Sequence, residues 1–151
     1  MRECQTPAAH FSRSLSTCQV NESVTFNATA SYSKIGNITT YEWDFEDGNI
    51  TTVESPVINH TFTQTGIHNV SLTITDTHGL FNTTVSKIVV TFITDRNRDR
   101  TVNILDISIV AMAFGTKQGD EDYNILADLD KNNEVNILDI STVAMDYGKT
   151  I

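Results

Sequence analysis

The feature that most restricts what this chain can become is a duplication. DRNRDRTVNILDISIVAMAFG, starting at residue 95, realigns with DLDKNNEVNILDISTVAMDYG, starting at residue 128. Asp95 matches Asp128, Asn103 matches Asn136, Asp106 matches Asp139, Met112 matches Met145 and Gly115 matches Gly148, always 33 residues apart. Self-similarity at such a period marks copies of one supersecondary unit. What each copy does must therefore be read from what both share: acids and asparagines at alternate positions, then an apolar stretch that stops at glycine.

Calcium accounts for that spacing. It takes six to eight oxygen ligands, and a 12-residue loop supplies them from positions 1, 3, 5, 7, 9 and 12. The first loop offers Asp95, Asn97, Asp99, the Thr101 carbonyl, Asn103 (directly or through water) and Asp106. The second offers Asp128, Asp130, Asn132, the Glu134 carbonyl, Asn136 and Asp139. Residues between the ligands need only be soluble, so Arg96 and Arg98 occupy non-ligand positions. Two features depart from an EF-hand. Position 12 is Asp rather than the longer Glu, and position 6, where a sharp turn favours Gly, is Arg100 in one copy and Asn133 in the other. Asn tolerates positive φ, whereas Arg adopts it at a cost of about 1 kcal/mol. A cation beside the ion also lowers affinity. The expectation is two calcium sites, the first weaker.

Each loop runs into a helix. Leu105, Ile109, Met112 and Ala113 share one stripe of it, and Ile107, Val110, Ala111 and Phe114 share the neighbouring stripe; Gly115 and Gly148 end the two copies. A loop followed by one helix, twice over, resembles a type I dockerin. So does the approach to the second copy, GDEDYNILADLD, and the resemblance covers Asp95 to about Gly148. Asp at position 12 is that family's habit. The resemblance implies calcium binding, and docking onto a cohesin module through helix faces near loop positions 10 and 11. Those positions hold Ile104-Leu105 and Ile137-Leu138. These apolar pairs read either as a hydrophobic docking surface or as ordinary core.

Before residue 95 the composition is different. VTFNATAS, HNVSLTITD and KIVVTF alternate β-branched or aromatic residues with polar ones, the pattern of half-buried antiparallel strands. Gly36-Asn37, Asp47-Gly48, Ser55-Pro56, Thr65-Gly66 and His78-Gly79 punctuate them, which predicts a sandwich. In YEWDFEDG, Tyr41, Trp43 and Phe45 fall on one face and Glu42, Asp44 and Glu46 on the other. That segment, HTFTQTGIHNVSLTITDTHG and KIVV together resemble the PKD (polycystic kidney disease) domain, an immunoglobulin-like sandwich, over roughly Val20 to Phe92. Glu46 stands where the family usually has glycine. The resemblance implies a spacer or binding module rather than an active site. The expected fold is thus mainly β with a small α part: residues 1–19 as an N-terminal arm, 20–94 as the sandwich, and 95–151 as a tandem calcium-loop–helix domain, with no Gly- or Pro-rich spacer between the last two.

All seven asparagines before residue 95 lie in N-x-[S/T] sequons, at Asn21, Asn27, Asn37, Asn49, Asn59, Asn69 and Asn82, and none of those after it does. Thr-rich strands would produce some of these matches; export with N-linked glycans explains the whole set. Cys4 and Cys18 enclose a short loop, expected to be a disulfide outside the cell, with two unpaired thiols as the alternative. The opening MRECQTPAAHF has no apolar core of a signal peptide, which leaves a cytosolic protein or a processed piece of an exported one. No apolar run reaches the ~20 residues of a membrane span. A net charge of −9 argues against nucleic acid as partner.

Neither Gly-x-Ser-x-Gly nor His-Glu-x-x-His occurs, and the four histidines are scattered, so no catalysis is expected. The leading expectation is an extracellular or cell-surface interaction module, its sandwich a spacer and its repeat docking onto a cohesin-like protein or onto neighbouring copies of itself. Two alternatives stay open: a subunit of a surface layer or fibre, and an accessory C-terminal region of a secreted hydrolase.

Overall fold

A computed structural model describes residues 5–151. It divides into two compact units, Met1–Val90 and Thr91–Ile151. Among its described residues the first holds eight strands: β1 (Ser12–Arg13), β2 (Thr17–Gln19), β3 (Ser23–Asn27), β4 (Ile38–Asp44), β5 (Ile50–Val53), β6 (Val57–Thr61), β7 (Gly66–Asp76) and β8 (Phe81–Thr91). They form a three-stranded sheet, β1-β3-β6, and a five-stranded sheet, β2-β8-β7-β4-β5. Pairing is antiparallel from β4 to β5, β4 to β7 and β7 to β8, the last running in register from Gly66↔Val90 to Thr75↔Phe81.

The alternation read in the sequence builds this core. Val70, Leu72 and Ile74 of β7, Trp43 of β4, Phe26 of β3, and Phe45 and Phe62 beyond the strand ends are all fully buried. Trp43 and Phe26 lie 5.7 Å apart between ring centroids, and Phe26 and Phe45 5.3 Å. The expected outward face of YEWDFEDG is also present, with Glu42 and Glu46 exposed and Asp44 half-buried. His60 closes the turn that follows: its ring stacks on Phe45 at 3.7 Å and its Nε2 meets Asp47 Oδ2 at 2.7 Å. Six of the sequon asparagines are exposed, while Asn27 is half-buried on β3.

The segment expected as an N-terminal arm belongs in part to the sandwich. β1 pairs with β3, β2 lies beside β8, and Phe11 packs edge-on against Trp43 at 5.2 Å. Strands of two and three residues are too short to show alternation in sequence. Cys18 is fully buried in β2, and its expected pairing with Cys4 lies outside the described residues.

Glu46 takes the glycine's place in the turn with a φ of 58°. Its carboxylate accepts hydrogen bonds from the Asn69 backbone and side-chain amides, the backbone one foremost in holding its pKa below the usual carboxylate range. Positive φ is a backbone cost to a non-glycine residue, and the exposed hydrogen bonds to Asn69 are an offsetting gain. These nearly cancel. Glu46→Gly should leave the thermal midpoint within about 3 °C of the parent, by the usual conversion for a domain of this size; a larger drop would show that the bonds to Asn69 dominate.

The second unit contains α1 (Ile104–Met112) and α2 (Ile137–Met145), each nine residues long. Val102, Val110, Ala113, Ala127, Val135 and Val143 form its buried core, with Ile107, Tyr123 and Ile140 against it. The inward face of α1 therefore runs through Asp106, Val110 and Ala113. Neither predicted stripe matches it: Ala113 comes from one and Val110 from the other, while Leu105, Met112 and Phe114 are exposed. Asp106 explains the rotation, because its carboxylate has to face the loop, and positions four and seven further on then face inward with it. Beyond each helix the chain turns through Gly115 and Gly148 at φ 85° and 86° and pairs with the opposite loop. Gly148 N–H donates to the Val102 carbonyl and Val102 N–H to the Lys149 carbonyl, at 2.7 and 2.8 Å. Gly115 N–H to Val135 and Val135 N–H to Thr116, at 2.8 and 2.9 Å, repeat the arrangement. Among the described residues no helix is long and apolar enough to cross a membrane.

Candidate metal centres and docking surface

The two loops fold alike because the same side chains hold them. Asp106 Oδ1 accepts from the backbone N–H groups of Arg96 and Asn97 at 2.6 and 3.1 Å, and its Oδ2 accepts from Asn103 N–H at 2.8 Å. Asp139 does the same for Leu129, Asp130 and Asn136, at 2.7, 3.3 and 2.8 Å. Position 1 gathers the middle of each loop. Asp95 accepts from Asp99 and Arg100 N–H, and Asp128 accepts from Asn132 and Asn133 N–H. Between them, Asn97 and Asp99 each bond the N–H two residues on, as do Asp130 and Asn132, so that loop residues curl around a common interior.

The result is one carboxylate cluster per loop: Asp95, Asp99 and Asp106 in the first, Asp128, Asp130 and Asp139 in the second, with ligand oxygens within 4.8 Å of one another. In each cluster the first and last carboxylates are buried and the middle one is exposed. Like charges so close repel, and a divalent cation relieves that repulsion. All side-chain donors in both rings are oxygens, the set a hard cation prefers and a soft one does not. Calcium fits both loops on this chemistry.

Several predicted ligand positions do other work. Asn103 and Asn136 are the N-caps of α1 and α2, their Oδ1 atoms each accepting at 2.8 Å from Leu105 and Leu138 N–H. With Asp106 and Asp139 at the third helical position, each completes a capping box. The Asn103 amide nitrogen faces Asp99 Oδ2 and the Thr101 carbonyl, each at 3.3 Å. The Glu134 side chain pairs with Lys117 at 3.5 Å. Positive φ at position 6 holds as expected, 76° at Arg100 and 70° at Asn133, and position 4 shares it, with 60° at Arg98 and 59° at Lys131.

The loops are electrostatically unequal. Burial pushes the Asp95 carboxyl up, and the charges of Asp106 and Asp99 add to this. The Thr101 N–H and the Asn97 amide hold Asp99 down. Burial also opposes ionisation of Asp128, but the Tyr123 hydroxyl and the N–H groups of Asn133 and Asn132 outweigh it, and its pKa falls. The first loop sets three carboxylates against three arginines; the second sets four against one lysine.

Outside the cages, the apolar pairs that the sequence left between docking and core are exposed. Ile104 and Leu105 show 61% and 56% of their surfaces, Ile137 and Leu138 63% and 58%. Met112 and Met145 project further still. Tyr123 was missed as a site residue. The two repeats do not match at that place, so the comparison that found the loops passes over it.

Comparison with known proteins agrees with this division. The PKD domain family matches residues 4–92 and the dockerin type I domain family residues 93–145. Collagenase ColA of Clostridium perfringens is 39% identical over 71 residues, which cover 47% of this chain and 6% of the collagenase. The chain spans less than a tenth of the length of the curated relatives it matches. Among solved structures, a carbohydrate-binding module from the β-sandwich superfamily superposes with a TM-score of 0.58 at 35% identity, over 60% of this chain and 36% of that one. The PKD1 domain of Vibrio anguillarum Epp superposes with a TM-score of 0.50 at 30% identity, over 60% of this chain and 99% of that one. The chain belongs to the PKD domain family, its PKD domain followed by a dockerin type I domain.

Proposed function

We propose that this chain is a non-catalytic docking segment of an exported, N-glycosylated protein. Its sandwich serves as a spacer, and its repeat, ordered by two calcium ions, binds a cohesin-like protein. The observation that carries this reading is the same in both copies: a carboxylate cage that caps a helix and holds an exposed Ile-Leu pair just before its last carboxylate. Calcium neutralises the cage and so fixes the start of the helix that presents the pair. The proposed ligands are Asp95, Asn97, Asp99, the Thr101 carbonyl and Asp106, and their counterparts Asp128, Asp130, Asn132, the Glu134 carbonyl and Asp139. Asn103 and Asn136 contribute through the caps they form.

The test is calorimetric binding of a purified cohesin module to the full chain, in calcium and in excess chelator, beside a Leu105→Asp/Leu138→Asp variant. Calcium at a hundred times its dissociation constant should add about 2.7 kcal/mol per site, raising the midpoint of the C-terminal unit; chelator should remove both that gain and the binding. Binding that survives chelator, or that ignores the variant, would sink the docking role. Intact mass of the native glycoprotein tests the seven sequons. A second reading, the accessory region of a secreted hydrolase, is favoured by the 36–39% identity to collagenases. It is compatible with the first, because the hydrolase would lie elsewhere in the longer chain.

A further inference from the structure

We infer that the segment joining the two copies is a third part of the docking surface, fitted to a cohesin-like partner that brings a lysine or arginine beside an apolar side chain. The inference rests on the docking role proposed above. The segment repeats, in miniature, what begins each helix. Asn124-Ile125-Leu126 is a third Asn-Ile-Leu triplet, after those at 103–105 and 136–138. Its asparagine also caps: Asn124 Oδ1 accepts from Leu126 N–H at 2.9 Å, as Asn103 and Asn136 accept from Leu105 and Leu138. Its apolar pair is exposed too, with 70% of Ile125 and 62% of Leu126 open to solvent. The turn is held from beneath, because Ala127 is fully buried and donates its N–H to the Asn124 carbonyl at 2.8 Å. The Tyr123 ring, on the other flank, packs against the core of the unit.

Between this turn and α1 runs a groove of about 610 Å³, lined by Ile109, Met112, Ala113, Asp122 and Asn124. Its α1 side is apolar and its other side is acidic. Asp122 follows Asp120 and Glu121, all three exposed, and no lysine or arginine lies between Gln118 and Lys131. Lys117, just before that stretch, reaches Glu134 at 3.5 Å. An apolar wall opposite an acidic rim rejects an acidic partner and leaves a purely apolar one without a counter-charge. It suits a lysine or arginine whose stem lies along Met112 and whose charge meets Asp122. The apolar contact next to that charge falls to Ile125 and Leu126, which directly follow the groove residue Asn124.

The experiment is calorimetric titration of the full chain with a purified cohesin module in calcium, at low and at high salt. Asp122→Lys, Leu126→Ser and, on the sandwich, Glu54→Lys are run alongside; all three positions are exposed, so the variants should melt with the parent. Asp122→Lys should weaken binding about tenfold at low salt, and the gap should close at high salt, as screening of an exposed charge contact requires. Leu126→Ser should weaken it about fivefold at both salts, as loss of an apolar contact does. Glu54→Lys makes the same change in net charge outside the surface and should leave the affinity within about twofold. Binding by Asp122→Lys or Leu126→Ser that matches the parent, or a Glu54→Lys loss equal to that of Asp122→Lys, overturns the inference while the docking role stands. A parent that binds no cohesin module in calcium overturns the docking role itself. A chain that pairs with itself in calcium by sedimentation, and ceases to in Leu126→Ser, gives the surface to a second copy and overturns the inference.

Discussion

Replacing Asp106 with alanine should cost the C-terminal unit most of its order, even at saturating calcium. The side chain is fully buried and accepts three backbone N–H groups: two from the start of the loop and one from the helix cap. Each donor left without a partner costs about 1–3 kcal/mol, so the loss of all three is on the order of 3–9 kcal/mol before any metal ligand is counted. A unit of this length commands only about 3–9 kcal/mol in total. The far-UV helical signal should fall and fail to return on adding calcium. Asp106→Asn, which keeps acceptor oxygen, should be milder. An alanine variant that melts at the parental temperature would show that the loop is held by something other than this carboxylate.

Phe26→Ala should be the most damaging change in the sandwich. Phe26 is fully buried at the meeting of four rings, Phe11, Trp43, Phe45 and Phe62, with centroids 6.2, 5.7, 5.3 and 6.5 Å away. Truncating such a residue costs about 3–5 kcal/mol, since the surrounding aromatics cannot collapse into the space. Urea unfolding should show a lower midpoint at an unchanged slope, because the area exposed on unfolding barely alters. A variant within 1 kcal/mol of the parent would mean that the rings repack around the missing one.

Both predictions concern residues whose periodicity was legible in the sequence. Phe26, Trp43 and Leu72 alternate with polar neighbours and are buried as that alternation requires. Asp106 stands at the end of a ligand series repeated 33 residues later, and it joins the carboxylate cluster. What was illegible has equally physical reasons. Strands as short as β1 and β2 carry no period. Asparagine serves equally as a calcium ligand and as a helix cap, so residue type at Asn103 could not choose between them. In α1 nearly every residue is apolar, so the inward face was decided by one acid rather than by hydrophobicity. Tyr123 acts through a hydroxyl reaching five residues along the chain, and no spacing rule marks such a contact.

The reciprocal pairing of Val102 with the chain around Gly148, and of Val135 with the chain around Gly115, means that neither copy is self-sufficient. Each half supplies the edge against which the other's loop is shaped. The stretch that was copied is therefore smaller than the stretch that can stand by itself. Cut the chain between the copies, and both would be left with carbonyls and amides that nothing within the same copy answers.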